Sequence, residues 1–321
     1  MRRFAPPSWS AWRGALGLPA FLVLPVAVAA ISTSAVIIKT AGPAVGALAL
    51  AMWRMVIAAG VAAAFALASR DARRQIGALD RRSWAAAVLA GLLLAAHFGL
   101  WVPSVQGTKV ASSLALVTTS PLWVALVSPY LIGERIGWQL RGAVALGFGG
   151  AIVIMVGDAL TFGHGHVLAD GLALGGAIAV AGYFIVGRTL RPRLSLRAYV
   201  AVVYSAAAIV LLATAIVLRT PLVGWDGDHW LLVGAFALLP QLIGHGSLNW
   251  ALARLTATYV AAATLLEPIG GTLLDWWLFD QIPSRSAWLG GGMVIAALGW
   301  ATYAELNSAR PRTVEAAANA L

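Results

Sequence analysis

Long apolar runs, interrupted by arginine clusters, prolines and glycine turns, divide this chain into segments of membrane-spanning length. A bilayer core of ~30 Å needs about 20 mostly apolar residues per helix. The pattern predicts ten spans, near 18–38, 44–68, 83–105, 110–131, 138–157, 168–187, 198–218, 229–250, 256–279 and 286–304. The runs are too long and too uniformly apolar for the alternating strands of a membrane barrel. The expected fold class is therefore an all-α integral membrane protein.

Composition narrows the chemistry. Only 11% of the residues are charged and 60% are hydrophobic, against roughly 25% and 45–50% in soluble domains. The absence of cysteine removes a disulfide framework, a thiolate metal site and a cysteine nucleophile. The net charge of +10 does not form a nucleic-acid-binding face, because the arginines fall in short connectors between apolar runs. The partners expected are the lipid bilayer and a small-molecule substrate, with no nucleic acid.

Those connectors also predict topology. One side collects the amino-terminal tail (Arg2, Arg3, Arg13), the second connector (Arg70, Arg73, Arg74, Arg81, Arg82), the fourth (Arg135, Arg141), the sixth (Arg188, Arg191, Arg193, Arg197), the eighth (Arg254) and the carboxy-terminal tail (Arg310, Arg312). The opposite side holds Lys39, Lys109, Arg219 and Arg285, and Arg54 lies within a span. By the positive-inside rule both termini are cytoplasmic, in a cell membrane of the bacterial inner-membrane type. A competing reading makes the first apolar run, after Arg2 and Arg3, a cleaved signal peptide; its continuation to Lys39 is long for one.

A shift of about 147 residues lays one half of the chain on the other. Lys109 to Pro121 then falls on Thr256 to Pro268 with the prolines in register, and a one-residue slip brings His97 onto His245. Five spans per half is an odd number, so the second copy enters the membrane from the opposite face. The expected organisation is a cytoplasmic tail at 1–17, five-helix repeats at 18–160 and 161–306, and a second cytoplasmic tail at 307–321.

Several stretches resemble the EamA family of the drug/metabolite transporter superfamily: Ser34 to Lys39, Met52-Trp53-Arg54, Ala111 to Pro121 running on to Gly133-Glu134-Arg135, Tyr183 to Arg188, and Leu265-Leu266-Glu267-Pro268. Their order, spacing and duplication carry the resemblance over nearly the whole chain. It implies ten helices in two inverted five-helix repeats and alternating-access transport of small organic solutes, often amino acids or related metabolites and usually outward. It also implies a central cavity lined by spans one, three, four, six, eight and nine. The second half departs from the pattern, with Asp280-Gln281 where a second Gly-Glu pair is usual.

Polar residues inside the spans are the candidate site. Arg54 and Glu267 lie about ten residues from either end of their spans, where a charge costs ~2.5–3.5 kcal/mol on insertion scales, so neither faces lipid. On one reading they bind a substrate carboxylate or ammonium, or Glu267 carries a coupling proton; on the other, a buried ion pair or a hydrogen-bonded arginine locks span two to its neighbours. Thr264, Glu267, Gly271 and Asp275 share one stripe of span nine, a cavity face or a small-residue packing seam. Gln241, His245 and Asn249 share a face of span eight, as do His97, Trp101 and Ser104 on span three. The candidate substrate-binding set is thus Arg54, His97, Trp101, Gln241, His245, Asn249 and Glu267, with Glu267, Asp275 and His97 as coupling candidates.

Most of the 14 tryptophans fall near span ends, as an interfacial belt requires; Trp101 and Trp123 sit beside polar positions and can stack on a solute. His164, His166 and Asp170 are too few for a metal site, and no metal or cofactor is expected. The expected function is a secondary transporter, not an enzyme, exporting a small organic metabolite such as an amino acid, with proton coupling as one option. The competing readings are a multidrug or other metabolite efflux carrier, an intramembrane enzyme acting on a lipid-linked substrate, and a receptor without flux.

Overall fold

The apolar runs form helices. The computed structural model describes residues 19–308 except 109, 135, 163–166 and 281–284. The amino-terminal tail, all of the carboxy-terminal tail beyond 308, Lys109, Arg135, His164, His166 and Gln281 therefore lie outside the described residues, as does the side chain of Asp275. In order the helices are α1 (Pro19–Ala41), α2 (Ala47–Ala68), α3 (Arg70–Gly77), α4 (Arg81–Gly107), α5 (Val110–Val117), α6 (Ser120–Leu131), α7 (Trp138–Phe162), α8 (Val167–Leu190), α9 (Leu196–Val217), α10 (Gly227–Phe236), α11 (Gly246–Leu252), α12 (Ala257–Ala263), α13 (Glu267–Phe279) and α14 (Arg285–Ser308). No strand occurs among the described residues.

Among the described residues, eight stretches are long and apolar enough to cross a membrane: Val23–Ala41, Ala47–Ala68, Arg81–Gly107, Ser113–Leu131, Leu168–Leu190, Leu196–Val217, Gly227–Leu252 and Ala257–Leu278. The two other expected spans are the helices α7 and α14, of 25 and 24 residues. They lie side by side, with Trp138 and Trp300 in edge contact at 6.1 Å.

Three expected spans are not uniform helices. Span four breaks between α5 and α6, just before Pro121, and span nine passes through a 3-10 turn at Thr264–Leu266, just before Pro268. Proline lacks an N–H and its ring crowds the preceding turn, so carbonyls are left without partners there. Beside the breaks, threonine hydroxyls add a second bond to carbonyls that already accept from a backbone N–H: Thr118 donates to Leu114 O at 2.7 Å, Thr119 to Leu116 O at 2.7 Å and Thr264 to Ala261 O at 2.7 Å. In span eight, between α10 and α11, Ala237–His245 is π-helical around Pro240. Such widened turns recur at functional sites.

The second connector contains α3, a short helix that the apolar pattern did not foretell. Ser69 caps it and charged residues fill half of it. At its far end Asp80 caps α4 through the Ser83 N–H at 2.7 Å, and that bond holds the Asp80 carboxyl below its ordinary pKa.

Contacts between connectors follow the expected alternation of sides. Gln75 of the second connector accepts from Ser195 N of the sixth at 2.7 Å, and Glu134 of the fourth accepts from Ala257 N, just past the eighth, at 2.9 Å. Gln106, near the third connector, donates to Gly42 and Val45 carbonyls of the first. The central layer pairs α4 with α8, α2 with α9, and α1 with the π segment, α11 and α13.

Candidate functional site

The π segment places Gln241 and His245 against α2 and α4. Arg54 of α2 is completely buried, and its Nε donates to Gln241 Oε1 at 2.8 Å. The guanidinium lies between two rings, 3.9 Å above Phe98 and 4.4 Å from Phe236. Both terminal nitrogens, Nη1 and Nη2, have no hydrogen-bond partner. Arg54 therefore locks span two to span eight through one nitrogen and presents two unpaired donors. It makes no bond to Glu267, so the buried ion pair weighed from the sequence is not formed.

Histidines and aromatic rings extend the cluster. His97 donates from Nδ1 to the Gly176 carbonyl of α8 at 2.9 Å; a carbonyl only accepts, so the proton is on Nδ1. Its ring stacks on Trp101 at 5.8 Å and 7°, and lies 6.2 Å from the ring of His245. His245 also meets Phe98 edge-on at 5.3 Å and Tyr183 at 6.4 Å. The one-residue slip that pairs the two histidines in sequence thus corresponds to rings that are neighbours in space.

Five polar atoms in this cluster are buried without partners: Arg54 Nη1 and Nη2, Trp101 Nε1, Gln241 Nε2 and His245 Nδ1. A buried polar group without a partner costs about 1–3 kcal/mol. Four of the five are donors only, which makes the cluster complementary to a ligand rich in acceptors. Aromatic faces supply its walls.

Two of the expected residues behave differently. Asn249 is fully buried one turn beyond His245, but both ends of its amide are engaged: Tyr183 donates to Oδ1 at 2.6 Å and Nδ2 donates to Tyr204 at 3.2 Å. Its backbone carbonyl takes Arg191 Nε at 2.7 Å. Asn249 therefore ties α8, α9 and α11 together. Glu267 begins α13 at the break in span nine, where its carbonyl accepts from Ser32 of α1 at 3.5 Å. A Cβ at Gly270, one turn on, would fall 2.1 Å from Ser32 Oγ, so glycine is what permits this contact between spans one and nine. Asp275 lies in α13, with its side chain outside the described residues.

Phe98, Phe236 and Tyr204 complete the surroundings of Arg54 and Asn249 and are not among the residues the sequence pattern singles out. Phe98 neighbours His97, a signal that was present; Phe236 and Tyr204 carry no pattern separating them from other buried aromatics. Thr108 Oγ1, Ser128 Oγ, Asp170 Oδ1 and Tyr199 Oη are also buried without partners, outside the cluster described above. A separate apolar cavity of about 160 Å³ lies between α1, span nine and α14, lined by Leu24, Val28, Tyr259, Ala263, Leu266 and Leu298 among others.

Comparison with known proteins follows the same division of the chain. The sequence model of the EamA-like transporter family matches residues 2–156 and again residues 167–303. Three relatives are named riboflavin transporters. The Vibrio cholerae protein is 28% identical over 207 residues, 61% of this chain and 64% of its own; the Rhizobium johnstonii protein is 27% identical over 209 residues, 61% and 63%. The chain thus spans just under two thirds of the length of these two relatives. The Brucella anthropi protein is 24% identical over 262 residues, 77% of this chain and 85% of its own. A crystal structure described only as that of a protein superimposes with a TM-score of 0.74 at 21% identity, over 90% of this chain and 98% of the other. The chain belongs to the EamA-like transporter family and is a multi-pass membrane protein.

Proposed function

We propose that this family member is a secondary carrier that binds a small organic solute at the Arg54 cluster and moves it by alternating access of two inverted five-helix repeats, 18–160 and 161–306. The two separate family matches support the division. So does the packing: under a shift of about 147 residues, α4 against α8 exchanges with span eight against α1, and α5 and α6 against α8 exchange with span nine against α1. The proline breaks before Pro121 and Pro268 fall at equivalent places. The connector contacts and the arginine distribution support cytoplasmic termini.

One observation carries the choice of site: five unpartnered buried polar atoms converge from α2, α4 and span eight. Four of them are donors and the walls are aromatic, so the solute class is a planar ring system bearing several acceptors. Riboflavin, which names the three relatives, has that chemistry. An amino acid is the second reading, favoured by the burial of both Arg54 and Glu267, with the guanidinium taking the carboxylate and Glu267 the ammonium. In either case Glu267, beside the broken turn, is the candidate for a coupling proton. The family and the transporter-named relatives point away from the enzyme and receptor readings.

Counterflow in proteoliposomes tests the proposal. Vesicles preloaded with unlabelled solute are given labelled riboflavin, amino acids, amines or sugars in turn. Transient accumulation of riboflavin is expected, and accumulation of amino acids alone selects the second reading. Accumulation of neither, by folded protein, overturns both.

A further inference from the structure

The Gly-Glu pair singled out in the sequence lies away from the Arg54 cluster, where the fourth, sixth and eighth connectors meet. Gly133 has φ of +67°, a conformation glycine adopts freely, and it turns the chain so that Glu134 reaches the start of span nine. Glu134 Oε1 accepts from Ala257 N at 2.9 Å and Oε2 accepts from Thr258 Oγ1 at 3.3 Å. The same carboxylate lies 3.8 Å from Nε of Arg188, at the end of α8, and it is largely buried. Arg188 donates in turn from Nη1 to Leu252 O at 3.0 Å, the last carbonyl of α11. One carboxylate and one guanidinium thus join the ends of four spans on the arginine-bearing face.

The glutamate–arginine pair is not repeated at the equivalent positions of the other half. With the register of 147 residues, Gln281 stands where Glu134 stands and Ala41 where Arg188 stands. Asp280, at the position of Gly133, takes φ of +52° despite its side chain. The left-handed turn is kept, and the glutamate and the arginine are not. The arginine-bearing ends also connect to the solute site: Arg191 bonds to the Asn249 carbonyl, and the Asn249 side chain is held by Tyr183, whose ring faces His245.

We propose that Glu134 and Arg188 form a charged latch that closes the arginine-bearing face of the carrier, so that the solute site opens first to the opposite face and reaches this one only when the latch parts. The inference rests on the carrier reading. Parting the latch separates span nine from α8 and the fourth connector, and leaves Ala257 N and Leu252 O to water. Loss of the charge on Glu134, with its shape kept, therefore favours opening on this face.

The chain has no cysteine, which allows a test independent of transport. Thr264→Cys places one thiol on span nine, between the latch and Glu267. A membrane-impermeant thiol reagent is then applied to oriented vesicles from each face in turn. With the latch intact, reaction from the arginine-bearing face is expected to be slow; adding Glu134→Gln raises it about tenfold and leaves the opposite face unchanged or slower. Arg188→Met, acting on the other partner, gives the same one-sided rise. Unchanged rates, or an equal rise from both faces as general loosening would give, overturn the latch. A one-sided rise in a protein that shows no counterflow of any solute keeps the latch and removes the carrier reading.

Discussion

Replacing Arg54 by methionine separates a binding arginine from a structural one. The side chain is wholly buried and holds a single hydrogen bond, Nε to Gln241. Losing that charge-assisted bond costs about 1.5–3 kcal/mol, and losing the guanidinium between Phe98 and Phe236 costs roughly 2 kcal/mol or somewhat more. Against this, the variant no longer buries a charge near the midplane, worth about 2.5–3.5 kcal/mol, nor two unpaired donor groups at about 1–3 kcal/mol each. Methionine also fills a similar volume with a flexible apolar chain. The opposing terms come within a few kcal/mol of each other, so Arg54→Met is expected to be as stable as the parent or slightly more so. Function behaves oppositely, because the unpaired nitrogens have no role in holding the fold. Denaturation of purified protein in detergent reads the first quantity, and quenching of flavin fluorescence on binding reads the second. The expected result is stability within about 2 kcal/mol of the parent and affinity for riboflavin lowered at least a hundredfold. A variant that loses 4 kcal/mol or more and still binds normally would refute the reasoning and leave Arg54 as a packing residue.

The other substitutions divide along the same line. Asn249→Leu leaves the hydroxyls of Tyr183 and Tyr204 without their amide partner and is expected to cost about 2–4 kcal/mol; unchanged stability with a raised KM would make Asn249 a solute contact. Trp101→Phe keeps a ring against His97 but removes the unpaired indole N–H. A KM raised about tenfold with little change in stability is expected, and an unchanged KM counts against that donor. Gly270→Val drives a side chain into Ser32, so spans one and nine must part and folding yield is expected to fall sharply; normal yield and flux would show that the contact is not needed. Glu267→Gln is expected to stop proton-driven flux while sparing solute exchange, and loss of both or of neither removes its coupling role.

Much of the fold was legible because lipid makes backbone satisfaction and apolar length the dominant constraints. The spans follow from the length of the apolar runs between arginine-bearing connectors, whereas Gln241 and His245 share their segment with a π-helical turn that no α-helical period encodes. The breaks at Pro121 and Pro268 were legible as prolines, but the sequence did not foretell that span nine passes its proline through a 3-10 turn while span four parts into two helices. Asn249 shows why the site was harder to read. It shares a stripe with His245, yet its surroundings come from Tyr183 and Tyr204 on two other spans, and no local pattern encodes those partners. Glu134 is the converse case: a conspicuous motif residue whose contacts lie at the span ends and not at the Arg54 cluster. Arg54 was recognisable from the cost of its position, whereas its partner, Gln241 in place of Glu267, depended on the π-helical register of span eight.

The central claim is that one site, at the Arg54 cluster, holds the solute and opens to each face in turn. His245→Cys puts a single thiol at that site in a chain with no other cysteine, and its reaction with an impermeant reagent can be followed from either face of oriented vesicles, with and without riboflavin. The account predicts modification from both faces, and protection by riboflavin on both. Modification from one face only, or modification from both that no solute from the counterflow panel slows, would contradict it.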